Sequence, residues 1–67
     1  MSLRQYEGKR VRLIDVDGEI FEGRANDYVF PEDNEPEGVE SITLYNCSNR
    51  PHPIEFFANE IKSIEVI

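Results

Sequence analysis

The sequence predicts an all-β fold: a small, five-stranded, strongly bent open barrel, with a short helical turn at its N-terminal end. Three features predict it. Apolar residues recur with period two in short runs, turn-forming clusters separate those runs, and a glycine interrupts the longest of them. A chain of 67 residues has room for one domain, 1–67.

Residues 3–7 read as a short helical lead-in. Val11 and Leu13 then alternate with Arg10 and Arg12, and the run stops at Asp15-Val16-Asp17-Gly18, a hairpin turn in which Gly18 supplies backbone freedom. The next segment, 19–30, is too long for one flat strand at about 3.4 Å per residue in so small a domain. It must bend, and Gly23 lies where the missing Cβ permits this. Pro31 to Gly38 ends the ladder, because two prolines among acidic residues do not support buried pairing. Residues 40–45 alternate again, with Ile42 and Leu44 as the apolar face. A turn at 46–51 leads to a fourth strand at 53–57. Ala58-Asn59-Glu60 suits a single tight helical turn, and 61–67 is β-branched enough to prefer a strand over a short terminal helix.

A chain this short buries little apolar surface, and a single core of this size supplies only about 3–5 kcal/mol. Cys47 is the one cysteine, so an internal disulfide is excluded and a thiolate metal cage is disfavoured. Self-association remains as the expected extra source of stability. No run reaches the roughly 20 apolar residues of a membrane span, and residues 1–5 do not resemble a signal peptide, so the expected compartment is the cytoplasm. The net charge of −7 opposes binding to phosphate backbones and anionic membranes. The charge is uneven: Arg4, Lys9, Arg10 and Arg12 face Glu7 alone in residues 1–12, whereas 30–40 hold five acidic residues and no basic one.

The segment from Val11 to Tyr28, with its apolar alternation, Asp17-Gly18 turn, Gly23 and Asp27, resembles the first motif of the Sm and Sm-like family. Ile54 to Ile64 is similar to the second motif. The resemblance covers residues 9–67 and implies an SH3-type barrel in which the fourth strand of one subunit pairs with the fifth of the next. It also implies RNA metabolism as a setting. The family grips RNA with an aspartate, an asparagine four positions on, and an arginine-glycine pair. Asp27 matches the first, but Pro31 stands at the asparagine position and Phe57-Ala58-Asn59 replaces the pair. Neither replacement can contact a base or phosphate in the customary way.

Four groups of residues are candidates for function. Arg4, Lys9, Arg10 and Asp27, with Tyr6 nearby, compose a possible RNA contact, though charges alternating along a strand are commonly its wet face. Asp27 is also suited to bonding loop amides. Ile54, Phe56, Phe57, Ile61, Ile64 and Val66 are candidates for a subunit interface, because Phe56 and Phe57 point to opposite sides and edge strands carry unpaired backbone groups. The acidic loop fails the calcium pattern, since Leu44 occupies the position needing a bidentate glutamate, and reads as a solvated hairpin tip. Cys47 and His52 could be imagined as a dyad, but no third orienting group is evident, so the cysteine is expected at the surface or half-buried and the histidine exposed. No catalytic residue, metal or cofactor is therefore expected. The primary reading is a non-catalytic barrel that self-assembles as an interaction module, with an RNA-binding ring subunit as the alternative and a Cys47/His52 enzyme as the least favoured.

Overall fold

A computed structural model describes residues 2–67. Five strands form one antiparallel sheet: β1 (Arg10–Asp15), β2 (Ile20–Val29), β3 (Ser41–Tyr45), β4 (Ile54–Phe57) and β5 (Ile61–Val66). Their order is β4-β3-β2-β1-β5, so the first four strands meander and the last returns to pair with β1. The sheet is not closed, and β4 and β5 are its two free edges. Three short 3-10 helices complete the fold, at Leu3–Tyr6, Pro31–Asp33 and Ala58–Glu60. The helical lead-in, the five strands and the turn before the last one all lie where the alternation places them. Among the described residues no helix is long and apolar enough to cross a membrane.

The β1–β2 hairpin is built by Asp15. Its Oδ1 accepts from the amides of Asp17 and Glu19, both at 2.9 Å, while Gly18 takes φ +85 and donates to the Asp15 carbonyl at 3.0 Å. A side chain at Gly18 would be strained in that left-handed conformation.

Strand β2 serves two partners in succession. Residues Ile20 to Arg24 pair with β1, and Arg24 to Val29 pair with β3, so the sheet changes hands at Arg24. Gly23 stands just before that point, and its role is close approach: a Cβ there would lie 2.7 Å from the Tyr45 carbonyl oxygen and 2.9 Å from Cys47 Sγ. The register then shifts between Asn26 and Val29, where Asp27 takes φ +53. At this irregularity the long strand departs from a regular ladder.

The core is made of Val11 and Leu13 from β1, Phe21 and Ala25 from β2, Ile42 and Leu44 from β3, with Cys47, Phe56 and Ile64. Phe21 and Phe56 meet edge to face at 4.9 Å. Leu3 joins them, 1% exposed, so the N-terminal 3-10 helix seals part of the core. Its position is held by Glu40 Oε1, which accepts from the Leu3 amide at 3.2 Å and from the Tyr28 hydroxyl at 2.6 Å. The hydrogen bond to Glu40 is the main cause of the raised Tyr28 pKa. Ser41, fully buried, is satisfied: its Oγ donates to Glu55 at 2.8 Å and accepts from Asn34 at 3.0 Å.

Candidate functional site

The basic candidates separate into distinct settings. Arg10 pairs with Arg24 across β1 and β2, and Arg24 pairs in turn with Tyr45 on β3. Side chains in one such row share a face, and this row lies on the solvent side because its neighbours Val11, Gly23 and Leu44 are buried. Arg24 also donates to the Gly8 carbonyl at 2.7 Å. The cross-strand register alone reveals Arg24 as a member of this patch. Lys9 is exposed immediately before β1. Arg4 instead stacks on Phe30, 5.3 Å from the ring centroid, and Phe30 packs edge to face on Tyr28. Arg12 is occupied by Glu22 at 2.7 Å and Glu65 at 3.4 Å, and the Glu22 bond is the largest cause of its raised pKa.

Asp27 does not organise the following loop through backbone amides, as its residue type suggested. It accepts from the Tyr45 hydroxyl, which raises the Tyr45 pKa, while the neighbouring Tyr28 amide bonds Glu7 Oε2 at 3.3 Å. Asp27 takes its left-handed backbone at the register shift between β2 and β3, beside the strand that carries Tyr45.

Cys47 is buried rather than at the surface or half-buried, because it packs against the side-chain-free face of Gly23. Burial pushes its thiol pKa up, away from the reactive thiolate. His52 is exposed. In the acidic loop Asn34 donates to the Val39 carbonyl at 2.8 Å and closes the turn. Among the described residues no three His, Cys, Asp or Glu side chains converge as metal ligands.

The six interface candidates divide by burial. Phe56 and Ile64 are core side chains, 5% and 9% exposed, so they are not available to a neighbour. Ile54, Phe57 and Ile61 are half-buried, and Val66 is 52% exposed. Ladder bonds alternate in direction along an antiparallel strand. On β4 the Ala58 amide bonds the Glu40 carbonyl toward β3, so the backbone groups of Glu55 and Phe57 face outward. The Phe57 amide is met there by Glu60 Oε1 at 2.9 Å. On β5 the Ile67 amide bonds the Arg10 carbonyl, so Ile64 and Val66 turn their backbone groups outward. The Ile64 carbonyl is met by the Tyr6 hydroxyl at 3.4 Å.

A cleft of about 410 Å³ lies between the β1–β2 hairpin and β4. Its lining includes the apolar residues Phe21, Ile54 and Phe56 and the acidic residues Asp15, Asp17, Glu19, Glu55 and Glu60. No alternation in the sequence announces it, since it joins segments more than thirty positions apart. No protein-family model matches the chain, and no curated protein is significantly similar to it.

Proposed function

We propose that this chain is a non-catalytic Sm-like, SH3-type barrel that assembles with copies of itself, β4 of one copy pairing with β5 of the next, and serves as an interaction module in RNA metabolism. The observation that carries the reading is the sheet order, in which β4 and β5 are the two free edges. Each edge presents outward backbone groups met by single side-chain bonds from Glu60 and Tyr6, and strand pairing would replace those bonds with a ladder. Val66 and Ile67 add exposed apolar surface beside β5, and Phe57 adds a half-buried ring on β4. A buried thiol with a raised pKa supports the non-catalytic part, because a nucleophile needs the opposite shift. Multi-angle light scattering tests the assembly: a defined multiple of 7.8 kDa is expected.

The second reading, an RNA-binding ring subunit, is favoured by the adjacency of Arg10 and Arg24 on the solvent face. Its contacts would come from Arg10, Arg24 and Lys9, with Arg4 and Asp27 engaged elsewhere. A labelled oligonucleotide should then bind at low salt and lose affinity in Arg10→Ala combined with Arg24→Ala, since phosphate contacts are strongest at low ionic strength. Absence of binding at low salt removes this reading.

A further inference from the structure

The cleft beside β4 brings apolar and acidic residues together. Its lining joins Phe21, Ile54 and Phe56 to five acidic residues and no basic one; Asp15, Glu55 and Glu60 also accept bonds within the chain, whereas Asp17 accepts none among the described residues. Val16, on the hairpin lip, is 61% exposed. One cation of the chain already contacts two of these residues. The Arg50 guanidinium lies 4.6 Å from the Phe21 ring centroid and donates to Glu19 at 3.2 Å. A guanidinium is thus accommodated by an aromatic face and a carboxylate at once, the pairing that suits arginine better than lysine.

We propose that this cleft docks an extended, arginine-bearing segment of a partner protein. The proposal rests on the reading of the chain as an interaction module, and it does not require self-assembly. Charge complementarity selects the occupant: a cleft this acidic, in a chain of net charge −7, repels nucleic acid and acidic peptides and attracts cations. The carboxylates are dispersed along the lining, and no three acidic side chains among the described residues converge as a metal cage would require. Dispersed charges match cations spaced along a polypeptide, whose alternate side chains recur at about 6.8 Å in extended form. The apolar lining residues receive the aliphatic stems of those side chains, whose charged heads reach the carboxylates.

The test is fluorescence anisotropy of the full chain with a short labelled peptide of alternating arginine and serine. Saturable binding that weakens with salt is expected, with lower affinity for the lysine version. Asp17→Asn combined with Glu19→Gln should weaken binding about fivefold or more, each removing a charge pair at an exposed site. Arg50→Ala should tighten it about threefold by releasing Glu19 from its internal ion pair. Glu32→Gln with Asp33→Asn, on the distant acidic loop, should leave it unchanged. The proposal is overturned by absence of saturable binding, by equal affinity for the lysine peptide, or by equal losses in the loop variant, which would signify diffuse attraction to net charge. A monomeric mass in light scattering would remove the self-assembly reading and leave this test standing, whereas a defined oligomer that ignores the peptide removes this proposal alone.

Discussion

The three central strands and the two edge strands solve different problems. Strands β1, β2 and β3 each bury at least two apolar side chains: Val11 and Leu13, Phe21 and Ala25, Ile42 and Leu44. Strands β4 and β5 bury one apiece, Phe56 and Ile64, and turn one row of backbone groups away from the sheet. The centre is therefore held by packing within the chain, where each strand has a neighbouring strand on both sides. The edges are held by one neighbour each, and their stability has room to grow through contact with another chain. The comparison teaches that the same sheet contains a finished part and an unfinished part, and that function is to be sought at the unfinished one.

Substitutions sharpen this difference in a definite order. The largest effect belongs to the centre. Ile42→Ala, at a fully buried position, should cost about 2–5 kcal/mol, comparable to the whole stability of so small a domain, and circular dichroism should show a largely unfolded chain. A folded Ile42→Ala variant with a small shift would break the account of the core. Next comes Gly23→Ala, whose Cβ would meet the backbone oxygen of Tyr45, an atom that cannot swing aside. A loss of about 1–3 kcal/mol in urea unfolding is expected. Smallest is Val66→Pro on β5. The Val66 amide faces outward, so proline there removes no bond to β1 and the single-chain stability should change by only about 0.5 kcal/mol.

Much of the central region is legible in the residues themselves. Val11, Leu13, Ile42 and Leu44 alternate cleanly, because successive side chains of a strand point to opposite faces of the sheet and only one face is buried, and Asp15 to Gly18 carry the chemistry of a tight turn. Gly23 is legible as a special position, although its reason, the near contact with Tyr45 and Cys47, comes from a strand twenty residues away. What escaped local reading depends on such distant partners. Leu3 packs into the core with its amide bonded to Glu40, and Arg24 joins Arg10 through the β1–β2 register. Asp27 is claimed by Tyr45, and the acidic cleft arises when residues near 15–21 meet residues near 54–60. Period-two patterns report which face is wet, but not which wet residues the topology gathers.

The claim that the two open borders exist to join separate copies is tested most directly by measuring mass in solution for the unaltered chain and for Val66→Pro side by side. The account predicts a closed assembly for the first and a folded species of 7.8 kDa for the second. An unaltered chain that stays at the single-copy mass at high concentration, or a proline variant that assembles as well as its parent, would contradict it.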